Sequence, residues 1–137
     1  MALNNNNDPM TKGFTFKPKQ LTADDSDSTL NAIPAETSVI EVIGVTNDAD
    51  DYVFLPQLNK VQNGFTITIL CSAGANFELR TPATSAEEIN SEDCDGTKEY
   101  LCTDTQIVKV IKINDTIGWC GLEYTAIGAK GTAVVPD

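Results

Sequence analysis

The sequence predicts an all-β protein: an antiparallel β-sandwich or jelly-roll-like domain preceded by an extended N-terminal arm. Three observations carry that expectation. Seven or eight short stretches dense in β-branched and aromatic residues recur at a spacing of roughly 8–12 residues. Turn signals, Asn63-Gly64, Ala73-Gly74, Asp95-Gly96 and Gly121, punctuate them. Helical periodicity is nearly absent. Its one candidate is a single turn over Thr84 to Asn90, capped by Thr84 or Ser85, with too few apolar positions to pack. The 137 residues suffice for one domain with a real core. No repeat of roughly 20–50 residues is present, which excludes propellers and solenoids.

Residues 1–31 read as the arm and residues 32–137 as the sandwich. The arm holds four consecutive asparagines, the acidic cluster Asp24, Asp25, Ser26, Asp27 and the patch Lys12-Gly13-Phe14-Thr15-Phe16-Lys17-Pro18-Lys19. Apolar side chains are too sparse there for a core layer. Phe14 and Phe16, flanked by Lys12, Lys17 and Lys19, are its one concentrated adhesive feature and the candidate partner-binding residues.

From about Glu36 onward every periodic stretch is strand-like. Thr37 to Thr46 is rich in β-branched residues, and Tyr52 to Leu55 is short and stops at Pro56. Phe65 to Cys71 alternates, with Phe65, Ile67, Ile69 and Cys71 on one face and Thr66 and Thr68 on the other. Phe77 and Leu79 mark a strand stopped by Pro82. Tyr100 with Cys102, Ile107 to Ile113, and Ile117 to Tyr124 give three more, and Val134-Val135 a last short edge. The expected core is Ile40, Val42, Phe54, Phe65, Ile67, Ile69, Val110 and Trp119.

Charge narrows the function classes. The chain carries 20 acidic against 9 basic residues, a net charge of −11, and no histidine. Within the chain there is therefore no Ser–His–Asp triad, Cys–His pair or His-containing zinc site. A strongly negative field repels phosphate backbones, so nucleic acid is not an expected partner. The N-terminus lacks the apolar stretch of a signal peptide, and no run is long enough to span a bilayer, so no membrane role is expected.

Remaining candidates each have a plainer reading. Asn47-Asp48-Ala49-Asp50-Asp51 offers oxygen ligands but lacks the Gly and Glu of an EF-hand loop, and Asx-rich segments form turns readily. Glu92-Asp93-Cys94-Asp95-Gly96, with Glu87 and Glu88, forms an acidic knob around a turn. Glycoside hydrolysis needs two carboxyls in a cleft beside aromatic platforms, and Glu123 near Trp119 is the sole pairing to nominate. Trp119 itself sits in a dense strand, where large aromatics complete a core. The sequon Asn114-Asp115-Thr116 is silent without export. Cys71, Cys94, Cys102 and Cys120 contain no C-x-x-C spacing. Synthesis in a reducing compartment favours free thiols, while later oxidation of a pair stays open. No catalytic residue, metal or cofactor is assigned.

The residues from about Ile33 to Asp137 resemble the small β-rich decoration, or cement, proteins of tailed-bacteriophage heads. The likeness lies in the arm, the opening strand Ser38-Val39-Ile40-Glu41-Val42, the segment Phe54-Leu55-Pro56 and the Gly-turn strand Asn63 to Ile69. It continues in the late strand Val108 to Ile113, then Ile117-Gly118-Trp119, and the tail Gly128 to Ala133. The resemblance implies a structural, non-enzymatic virion protein made in the host cytoplasm. It would form a homotrimer on the outer capsid surface, bind the major capsid protein through its arm and bridge capsid subunits. The alternative is a carbohydrate- or receptor-binding β-sandwich module on a virion or cell surface, with Trp119 and Tyr124 exposed in a groove.

Overall fold

Alternating burial along the chain generates two sheets over one core. In the computed structural model the residues described are 19–25, 31–45, 51–72, 74–82, 87–96, 98, 100–103, 105–124, 132–133 and 136. Their strands are β1 (Lys19–Ala23), β2 (Val39–Val45), β3 (Tyr52–Phe54), β4 (Thr66–Cys71), β5 (Phe77–Arg80) and β6 (Glu88–Ile89). They continue with β7 (Glu92–Asp93), β8 (Leu101–Cys102), β9 (Ile107–Asn114), β10 (Gly118–Tyr124) and β11 (Thr132–Ala133). The larger sheet runs β1-β2-β4-β9-β10-β6-β7, with β11 also on β10, and the smaller runs β3-β5-β8. The expected all-β sandwich-like architecture is present.

The pairing is mixed rather than antiparallel. β4–β9 and β9–β10 are antiparallel, whereas β1–β2, β2–β4, β3–β5 and β6–β10 are parallel. The cause is that the chain changes sheets between β2 and β4. It lays β3 in the smaller sheet and returns to the larger one in its original direction, the kind of crossover that parallel neighbours require.

The boundary expected between residues 31 and 32 also moves. β1 lies along β2 with Leu21 opposite Val42, and Leu21 and Ala23 are buried in the core. Buried Asn31 ties this segment down, its Nδ2 donating to Asp24 O (2.6 Å) and Tyr52 O (2.8 Å). The domain thus takes in residues from Lys19 on. Two apolar side chains in five were too thin a pattern to announce a strand, because β1 is an edge that buries only one narrow side.

Of the eight expected core residues, Ile40, Val42, Ile67, Ile69, Val110 and Trp119 are buried. Phe65 packs on the core from its margin, and Phe54 is half-buried with its ring edge-on to Tyr52 at 5.0 Å. Gly121 is not a turn residue: it sits mid-strand in β10. A Cβ there would lie 2.6 Å from the Tyr100 hydroxyl oxygen, so glycine is the residue that lets the Tyr100 ring lie against the strand.

Glu88 and Ile89, placed at the end of the expected helical turn, instead form β6. Asn90 and Ser91, both at positive φ (54° and 70°), close a two-residue hairpin onto β7, the backbone that such hairpins need and that asparagine tolerates. The Asn90 amide then imitates a strand neighbour. It donates to Gly121 O (3.1 Å) and accepts from Gly121 N (2.9 Å). The 3₁₀ turn Leu58–Lys60 is the helical element among the described residues. Buried Lys112 holds it by donating to Leu58 O (2.7 Å) and Val61 O (2.8 Å), while Glu87 accepts from Leu58 N (2.9 Å).

Candidate interaction surface

The larger sheet has an outer face on which several described apolar side chains are exposed. Strand alternation turns the even positions of β9 inward: Val108, Val110 and Lys112 are buried, whereas Ile107, Lys109, Ile111 and Ile113 point away. Register aligns the outward residues with their neighbours into rows. One row is Glu41–Leu70–Ile107–Tyr124, the next Val39–Thr68–Lys109–Leu122, and a third Thr66–Ile111–Cys120. Ile43, Ile107, Ile113 and the turn residue Ile117 are 40–51% exposed. A half-solvated sheet normally shows polar side chains outward; here threonine does so on β4, and isoleucine replaces it on β9.

Those rows carry two charges, Glu41 and Lys109, on a chain of net charge −11. Glu41 accepts from the Gln20 amide (2.9 Å) and the Ser72 hydroxyl (3.0 Å), which together hold its carboxyl below the usual range. The acid is therefore already satisfied within the chain. Lys109, in the middle of the face, is its cation.

Among the residues nominated from sequence, Lys19 opens β1 with its side chain exposed. Lys12, Phe14, Phe16 and Lys17 lie outside the described residues, as do Asn47 to Asp50, Thr84, Ser85 and Val134-Val135. Asp51 is buried, and its backbone oxygen accepts from Glu78 N (2.9 Å). No group of three or more Cys, Asp or Glu among the described residues is arranged to hold a metal ion. Around the acidic knob, Arg80 pairs with Glu78 (2.6 Å from Nε) and lies over the Tyr52 ring, 4.1 Å from its centroid. Gly96 packs on the same guanidinium. A backbone bond from Thr81 N to Cys94 O (3.0 Å) ties this segment to the end of β5.

Trp119 is 1% exposed, opposite Lys112 and Ile89 in the ladders, so it completes the core and offers no stacking platform. Tyr124 is half-buried. The outer face was missed as a site in sequence, although the signal exists. The run Ile107-Val108-Lys109-Val110-Ile111-Lys112-Ile113 is apolar at both parities, the pattern of a strand meant to be covered on two sides.

No family model, curated protein or solved structure matches this chain.

Proposed function

We propose that the protein is a structural, non-catalytic virion component, a decoration protein held on the outer surface of a tailed-phage capsid. In this reading it binds the major capsid protein, bridges neighbouring subunits and associates with itself as a homotrimer. The observation that carries it is the apolar outer face of the larger sheet on an otherwise acidic molecule. Exposed contiguous apolar patches mark protein–protein contacts, and a protein partner is what such a face fits. The resemblance in the sequence supplies the identity of that partner and the number three. Lys12, Phe14, Phe16, Lys17 and Lys19 are the proposed attachment residues, the aromatics as apolar anchors and the lysines as partners for an acidic shell. A glycan-binding module loses its support because Trp119 is buried.

The test is co-sedimentation with expanded, undecorated capsids, beside sedimentation velocity of the free protein. Saturable binding that is lost on joint Phe14→Ala and Phe16→Ala replacement supports the reading, provided melting is unchanged. A stable monomer that fails to sediment with capsids overturns it.

A further inference from the structure

We infer that Cys71 and Cys102 form a latent disulfide that staples the larger sheet to the smaller one when the folded protein meets a small-molecule disulfide. This goes beyond the proposed virion role and does not depend on it.

The geometry begins in the backbone. The turn that joins β8 to β9 is bonded onto the end of β4: Cys71 N donates to Gln106 O (3.0 Å) and Thr105 N donates to Cys71 O (2.9 Å). Gln106 braces that turn, its Oε1 accepting from Thr103 N (3.0 Å) and its Nε2 donating to Glu123 (3.1 Å). Cys102, just before the turn, is thereby brought from the smaller sheet to Cys71 on the larger. Both side chains are buried, and after burial itself it is the neighbouring Cys71 that most raises the Cys102 thiol. The other cysteines are engaged elsewhere. Cys94 donates to Glu92 O (3.5 Å), and Cys120 stands opposite Ile111 on the outer face.

Access is asymmetric. β8 is two residues long and pairs only with β5 among the described strands, so opening of this short strand is the route by which buried Cys102 meets solvent. β4 is central, flanked by β2 and β9. Cys102 is therefore the entry thiol and Cys71 the resolving one. With oxidised glutathione as oxidant, the Cys102 thiolate attacks one glutathione sulfur and expels the other as a thiolate. Closure of β8 then presents the mixed disulfide to Cys71. Its thiolate attacks the Cys102 sulfur, forms the Sγ–Sγ bond and releases the second glutathione. One disulfide is broken and one made, and the two protein thiols give up two protons and two electrons. Burial pushes the Cys102 thiol up, which disfavours the attacking thiolate while β8 is closed.

The experiment incubates the reduced full-length chain in oxidised glutathione under native conditions, and separately refolds it in a glutathione redox buffer. Peptide mapping should find a Cys71–Cys102 link in both, with Tm raised by roughly 10 °C, since a cross-link over a loop of about 30 residues restricts the unfolded chain. Cys71→Ala should stop at a single glutathione adduct on Cys102 with no rise in Tm. Cys120→Ala should cross-link like the parent. A link mapped to any other pair, the absence of a link in both procedures, or an adduct on Cys71 in a Cys102→Ala chain overturns the inference.

Discussion

Gly121 and Tyr100 show how one missing side chain decides a packing arrangement. The Tyr100 ring lies where a Cβ of residue 121 would be, and its buried hydroxyl has no hydrogen-bond partner among the described residues. Gly121→Ala should therefore cost about 1–3 kcal/mol, the usual penalty for overpacking, read as a lower urea midpoint. Tyr100→Phe should be neutral or stabilising by about 1 kcal/mol, because it removes a desolvated donor that gains nothing in the fold. Lys112 behaves in the opposite way. Its ammonium satisfies two carbonyls of the 3₁₀ turn, so Lys112→Met should cost roughly 2–4 kcal/mol, with two charge-assisted bonds lost and two acceptors left bare. Thermal melts of the two variants against the parent decide both signs.

At the scale of the strand, the outer face of β9 is where stability and association separate. Ile107→Lys and Ile113→Lys change exposed side chains, so folding free energy should move by no more than about 0.5 kcal/mol. Self-association or capsid binding should weaken at least tenfold, measured by sedimentation and pull-down. An unchanged affinity would leave that face without a role. β1 gives a second strand-level expectation. Removing residues 1–18 should leave melting unchanged, whereas removing residues 1–25 strips an edge strand and uncovers the sites of Leu21 and Ala23. The shorter truncation is thus the clean test of the arm.

The strand with full alternation was legible in the sequence: Phe65 to Cys71 buries Ile67, Ile69 and Cys71 on the face that its pattern announces. Short strands were not. Glu88-Ile89 and Glu92-Asp93 owe their existence to a hairpin between them and to Trp119 opposite Ile89, neither of which is a local signal. Parallel pairing was likewise hidden, since alternation fixes which face is buried and says nothing of a neighbour's direction. The candidate surface was half legible: its residues stand in the sequence, but Lys109 and Lys112 look alike there. Only the ladder reveals that one lysine faces outward and the other the core.

For the molecule as a whole, the seam between the sheets concentrates groups that resist ionisation. Burial pushes the Cys94 thiol up to about 11, with the nearby carboxylates of Asp93, Glu92 and Asp95 adding to it, and also pushes Cys102 and Tyr100 up. In the unfolded chain these thiols ionise near pH 8.5 and the phenol near 10. Folded-state values that are raised favour the native state below those pH values, and the benefit is lost as pH climbs through them. Under reductant, the urea midpoint should hold steady to about pH 8.5 and then fall up to pH 11. Cys94→Ala should make that fall shallower, and an equal fall in the variant would show that Cys94 contributes nothing to it.

The return of the chain from β3 to the larger sheet also sets a timetable for synthesis. β4 lies between β2, already made, and β9, which is still to come. At roughly 5–20 residues per second, the ~36 residues from Cys71 to Ile107 occupy the ribosome for about 2–7 s. Throughout that interval the nascent Thr66–Cys71 strand has an unpaired edge and an apolar face, the conditions under which strands recruit one another. Yield of soluble protein should then depend on how fast codons 72–106 are read. Slowing them with synonymous rare codons would raise the insoluble share, while the same change placed after codon 124 would not.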